Sequence, residues 1–308
     1  MRREAMALWI PITIGAAFAQ NLRFMLQRHL KTTELSTGGA TLSRFLFSFP
    51  LVALLVWVYM NARGFSLPPL SAKFWLAALT GGAGQILATM CVVALFAHRS
   101  FAIGITFKKT EVMLTALIGL VILGEGVSPM GILAIAVGFG GVILLSDPPG
   151  AEDAPRGPGR FFNRAAALGI ASGALFGVSA VGYRTAALSL PVEDVFLRAS
   201  LTLAVVTASQ TLALSLWLLL REPGEVGRVL RSWRVSTLVG ITSMLGSLGW
   251  FTAFTLQNAA YVKALGQIEL VFSFLATWLV FKERTSGREM TGVALVVASV
   301  LLIVLALR

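Results

Sequence analysis

From the N-terminus onward, long apolar runs alternate with short polar intervals. Uncharged stretches occupy 5–22, 45–62, 74–97, 126–146, 165–183, 199–220, 235–262 and 290–307. Each has about the ~20 residues that a helix needs to cross ~30 Å of hydrocarbon. Two more stretches of spanning length, 101–123 and 259–281, carry charge: Lys108, Lys109 and Glu111 in one, Lys263 and Glu269 in the other. Their apolar flanks, 112–124 and 270–281, read as halves of complete spans rather than as re-entrant segments. The pattern predicts an all-α polytopic membrane protein of ten transmembrane helices.

Composition agrees: 56% of the 308 residues are hydrophobic and only 13% charged, far from the balance of a water-soluble domain. The net charge of +11 could point to nucleic acid, but the basic residues gather between spans. Arg221, Arg228, Arg231 and Arg234 form one group, and Lys282, Arg284 and Arg288 another, which is a matter of membrane topology. Basic residues are fewer in the intervals on the N-terminal side, which favours outside termini. Arg2 and Arg3 before an apolar run ending Ala17-Phe18-Ala19 imitate a cleavable signal. A second copy of that segment inside the chain argues for retention. The sole cysteine, Cys91, leaves nothing for a disulfide framework.

The repeat is the most informative feature. Gly15-Ala16-Ala17-Phe18 recurs 158 positions later as Gly173-Ala174-Leu175-Phe176. The same offset carries Trp75 to Trp233, Gly82 to Gly240, Phe96 to Phe254, Ala102 to Ala260, Glu111 to Glu269 and Glu125 to Glu283. Arg44 pairs best with Arg198, a local slip. Five spans per copy is an odd number, so the second copy enters the membrane in the opposite sense. Residues 1–146 and 165–308 are thus expected to be inverted repeats with a substrate site between them near the midplane, joined by the polar Pro/Gly-rich linker 147–164.

On these residues the chain resembles the drug/metabolite transporter superfamily, EamA type. The matching pieces are a Gly-Ala-x-Phe first helix in each half, Arg44 and Arg198 in the second helices, the glutamate-bearing fourth helices, and the hairpins Leu123-Gly124-Glu125 and Phe281-Lys282-Glu283. The resemblance implies ten helices, cytoplasmic termini, at odds with the charge distribution, and a transport function. One departure is that Val112 and Leu270, not proline, follow the two glutamates.

Ionisable groups within spans are costly and mark function. Gly104, Lys108, Glu111 and Thr115 form one stripe of a helix, with Lys109 about 100° away. Gly266, Glu269 and Ser273 are the equivalents, with Lys263 and Gln267 on a neighbouring stripe. Lys108 with Glu111, and Lys263 with Glu269, could neutralise one another as structural glue. The sum argues otherwise: Arg23, Lys108, Lys109, Lys263 and Arg184 face two mid-span acids, and a surplus of buried cations suits an anionic ligand. The pattern is also similar to the organophosphate and nucleotide-sugar branches of the superfamily, where basic residues on the fourth and ninth helices bind phosphate or carboxylate.

The expected substrate-binding set is Lys108, Lys109, Lys263, Gln267, Arg23, Asn21, Tyr183 and Trp250, with Glu111 and Glu269 as coupling carboxylates. Gln85, Gln210 and Gln257 read as inter-helix hydrogen-bonding groups, a role Gln20 taken alone would share, whereas Gln20, Asn21 and Arg23 together in the first helix are better candidates for function. Arg44 and Arg198 read as end-of-helix residues that snorkel, and Glu125 and Glu283 as structural hairpin residues. The tryptophans other than Trp250 are expected at the interfaces. Gly169, Gly173 and Gly177 line one helix face, as close packing in lipid requires.

No nucleotide-binding, metal-ligand or nucleophile pattern occurs, His29 and His98 included, so no cofactor and no enzymatic role is expected. The expected protein is a secondary transporter of small polar metabolites, integral and multi-pass in a bacterial-type inner membrane, driven by a gradient or by exchange. Its partners are a small-molecule substrate and membrane lipid, not nucleic acid, and a monomer is compatible with the sequence. The competing expectations are an exporter of neutral or aromatic amino acids or drug-like compounds, and a flippase for lipid headgroups.

Overall fold

The computed structural model describes residues 2–96, 108–146, 164–272 and 287–306, which are helical with no strand among them. The first half of the chain contributes α1 (Arg2–Thr33), α2 (Thr37–Arg63), α3 (Ala72–Leu95), α4 (Glu111–Leu123) and α5 (Pro129–Ser146). The second half contributes α6 (Arg164–Ser189), α7 (Val195–Arg221), the short α8 (Glu225–Arg231), α9 (Trp233–Leu256), the short α10 (Ala259–Leu265) and α11 (Gly287–Ala306). Five of them, α2, α3, α6, α7 and α9, are long and apolar enough to cross a membrane. Shorter apolar helices cover Glu111–Leu123, Pro129–Leu144 and Met290–Leu305. The chain is an integral multi-pass membrane protein. The linker at 147–163 and the second hairpin with Lys282 and Glu283 lie outside the described residues.

Local sequence sets the helix ends. Ser36 and Ser71 accept hydrogen bonds from the Gly39 and Phe74 backbone N–H groups at the starts of α2 and α3, and Asp194 accepts from Leu197 N–H at 2.7 Å to start α7. Gly64 and Gly124 stop α2 and α4 with φ of 68° and 66°, a left-handed turn open to glycine at little cost. Glu225 is buried at the loop end of α2 and accepts from the Ser36 N–H at 2.6 Å while pairing with Arg228. Burial pushes its carboxyl up, but the hydrogen bonds from Ser36 and Arg228 outweigh that and hold it below the ordinary range.

The helices turn leucine, isoleucine and valine outward, among them Leu76, Val121, Leu212 and Leu220, and gather their polar groups inside. This is the distribution that a lipid surround demands. The main contacts are α3 on α6, α1 on α9, α5 on α11, α2 on α7 and on α9, and α4 on α6. Glycine lets these pairs approach closely: a Cβ on Gly182 of α6 would lie 2.8 Å from the Ala77 carbonyl oxygen and 3.0 Å from the Gly81 Cα on α3. On the glycine face expected of α6, Gly173 abuts the backbone of 108–111 and Gly177 abuts Thr115. Trp57, Trp75, Trp217 and Trp233 are exposed as interface residues should be, but Trp9 is buried in the core, where α1 packs against α9. Trp278 lies outside the described residues.

Candidate functional site

Both charged stretches are interrupted immediately before their glutamate. In the first half a turn at Lys109 and Thr110 precedes α4, whose first residue is Glu111. In the second, α10 ends at Leu265, a 3-10 turn spans Gly266–Ile268, and helix resumes at Glu269. No proline is involved. Small residues make room instead: a Cβ on Gly173 would meet the Lys108 carbonyl oxygen at 2.9 Å, and one on Gly266 would meet the Trp250 indole at 2.5 Å. The breaks bring both carboxylates to helix starts, where the backbone dipole favours negative charge.

Around them lie ion pairs that cross from one half of the chain to the other. Lys109 Nζ pairs with Glu269 Oε1, and Gln20 Nε2 donates to the other Glu269 oxygen at 3.2 Å. Glu111 is shared: Lys108 Nζ is 3.6 Å from Oε2 and Lys263 Nζ is 3.7 Å from Oε1. The Lys108–Glu111 pairing is as expected from the stripe. Lys263 meets Glu111, not Glu269, in its closest ion pair, because six residues along a helix place 263 and 269 on different faces. The lysines also lie against aromatic rings, Lys263 at 4.9 Å from the Trp250 ring centre and Lys108 at 5.3 Å from that of Phe176.

Arg23, Arg44, Lys108, Lys109 and Lys263 are all buried in this centre, against the two acids Glu111 and Glu269. Arg44 is a correction. Expected to snorkel, it is only 4% exposed, and its guanidinium donates to Thr89 at 3.0 Å, Ser243 at 3.1 Å and Ser247 at 3.3 Å. Arg184 is a second correction: it belongs to a separate lock at the helix ends. Its Nε and Nη2 donate to Glu125 in the α4–α5 hairpin, and its Nη1 donates to the Phe254 and Gln257 carbonyls at the end of α9. It therefore adds nothing to the central surplus.

A small cavity opens in the centre, and its wall includes Gln20, Arg44, Tyr183, Trp250 and Lys263. Tyr183 stacks on Phe251 and Trp250 on Phe254. Gln210 Nε2 bridges Gln85, the Gly82 carbonyl and the Tyr183 hydroxyl, the inter-helix role expected of the glutamines. Lys109 and Gln267 line a second, small and mostly apolar cleft between α4, α5, α10 and α11. Arg23 is buried, donating to Gln27, and Asn21 is half-buried; neither lies on either wall. Sequence patterns missed Arg44 and Gln85 as cavity residues, since their partners are distant in the chain.

Comparison with known proteins matches this architecture. A solved structure described only as a crystal structure of a protein superposes with a TM-score of 0.73 at 16% identity, covering 97% of this chain and 97% of that one. The likeness extends the shared fold to the full length. No curated protein matches. The model of the EamA-like transporter family matches residues 163–305, the segment that holds Arg184, Trp250, Lys263 and Glu269. With that match, the second half of the chain is identified as EamA-like transporter family, part of the drug/metabolite transporter superfamily, a family of transporters rather than enzymes.

Proposed function

We propose that the protein is an alternating-access secondary transporter of small polar metabolites bearing an anionic group. It is built from two inverted five-helix repeats, ten spans in all, in a bacterial-type inner membrane. The observation that carries this reading is the charge inventory of the centre: five buried cations, Arg23, Arg44, Lys108, Lys109 and Lys263, against two acids, Glu111 and Glu269. Such a surplus is costly in a low-dielectric interior unless a ligand anion offsets it.

The packing supports the repeats. Exchanging each helix for its partner 158 residues on turns the α3–α6 contact into α9–α1 and maps α5–α11 and α2–α7 onto themselves, as a two-fold axis in the membrane plane requires. Ion pairs across the halves support the switching: rocking one half against the other would have to break and remake Lys109–Glu269 and Lys263–Glu111. Glu111 and Glu269 are accordingly the coupling carboxylates, since protonating either one releases a lysine of the other half.

The aromatic wall of Phe176, Tyr183, Trp250 and Phe254 favours a second reading, an exporter of neutral aromatic compounds with the lysines locked by the acids. Ligand-stabilised melting of the purified protein separates the two. Phosphorylated metabolites or carboxylates are expected to raise the unfolding temperature and amines to leave it unchanged. Shifts with neutral amino acids or amines alone would overturn the anionic substrate while leaving a transporter.

A further inference from the structure

The positive surplus is not spread evenly, and its distribution deepens the anion reading, on which this inference rests. Lys108, Lys109 and Lys263 stand against Glu111 and Glu269, which leaves one net positive charge among five groups in contact. The two arginines supply the rest. Among the described residues Arg44 donates hydrogen bonds to the hydroxyls of Thr89, Ser243 and Ser247 and lies 5.1 Å from the Phe45 ring centre, and no described carboxylate forms an ion pair with it. A guanidinium has five N–H donors, so three such bonds leave two to spare. Arg23 bonds to Gln27, and its Nη2 is buried without a hydrogen-bond partner among the described residues.

Two buried guanidinium groups with no carboxylate ion pair among the described residues have their desolvation uncompensated. Arg44 lines the central cavity, and so does Trp250, whose indole N–H is also buried without an acceptor among the described residues. The wall thus offers a planar cationic fork held by hydroxyls with no carboxylate ion pair among the described residues, and a further donor without an acceptor there. A fork of that shape matches the two oxygens of a carboxylate or phosphate, where a lysine offers only a point charge.

We propose that Arg44, backed by Arg23, is the anion anchor of the cavity, with the Trp250 N–H as a second donor, and that the ligand is an organic oxyanion whose apolar body lies against the Phe176, Trp250 and Phe254 wall. The lysine–glutamate pairs then serve to join and release the two halves, not to hold the anion.

Calorimetric titration of the full chain in nanodiscs with phenyl phosphate, benzoate and the neutral benzamide tests this. Wild-type protein binds one or both acids in preference to benzamide, and the stronger of the two tells phosphate from carboxylate. Arg44→Gln weakens that binding by about ten- to a hundredfold, the scale of a lost charge-assisted contact. Leu212→Ala, on the outward face of α7, leaves it within about twofold, as for an independent site. Should Arg44→Gln fail to fold, Ser247→Ala, which keeps the charge but loosens the fork, weakens acid binding by about three- to tenfold. Acid binding unchanged in the Arg44 or Ser247 variant but lost in Lys109→Gln or Lys263→Gln would overturn the arginine anchor and leave an anion transporter standing. Binding of benzamide with neither acid would overturn the anion reading and the anchor together.

Discussion

Replacing Glu269 by glutamine should destabilise the protein by about 3–5 kcal/mol, the usual loss when one member of a buried ion pair is removed. The substitution leaves Lys109, 2% exposed, without its carboxylate and adds one more unmatched positive charge to a centre already rich in them. Gln20, which donates to the other Glu269 oxygen, can still bond the new amide and offers no compensation in charge. Adding Lys109→Gln should recover most of the loss, because the pair is then replaced by two neutral amides of similar shape. Denaturant unfolding of the two single variants and the double variant gives the coupling directly. Simply additive effects would mean that the contact across the halves carries no energy.

Gly182→Val should cost about 1–3 kcal/mol or more, through overpacking rather than charge. The new Cβ would lie 2.8 Å from the Ala77 carbonyl oxygen and 3.0 Å from Gly81 Cα, and helix backbone cannot swing aside as a side chain can. Because Tyr183 follows Gly182 and stacks on Phe251 in the cavity wall, parting α3 from α6 would also disturb the site. Gly15→Ala is the control: its Cβ meets nothing within 4 Å inside α1, so it should not destabilise and should gain about 0.5–1 kcal/mol of helix propensity. Equal melting temperatures for Gly182→Val and wild type would show that the α3–α6 approach is looser than the packing implies.

Much of this was legible in the sequence because lipid imposes simple rules. Apolar runs of spanning length became helices, the glycine face of α6 became a packing face, and the charges at 108–111, 263 and 269 converged at the centre. What stayed hidden depends on tertiary contact. Arg44 sits little more than two turns into its helix, where snorkelling was the simplest expectation, and its hydroxyl partners lie 45 to 203 residues away in the chain. The helix breaks before Glu111 and Glu269 have no proline to announce them and depend on neighbours such as Gly173. Arg184 has a charge that looks central by sequence position alone, and only the approach of the α4–α5 hairpin assigns it to Glu125.

Two features of the centre belong together in the proposed cycle. Pairs across the halves hold the two parts closed around the cavity, and unmatched arginines give an anion a reason to enter it. A ligand shifts such an equilibrium only by its differential affinity for the two states, so the charge surplus and the movement must be linked.

Counter-transport in reconstituted liposomes tests that link most directly, using the acid that stabilises the protein most in melting. The account predicts saturable uptake that accelerates when the same acid is loaded on the far side and falls when Arg44 is replaced by glutamine. Uptake that rises in proportion to concentration, indifferent to loading on the far side, would contradict it.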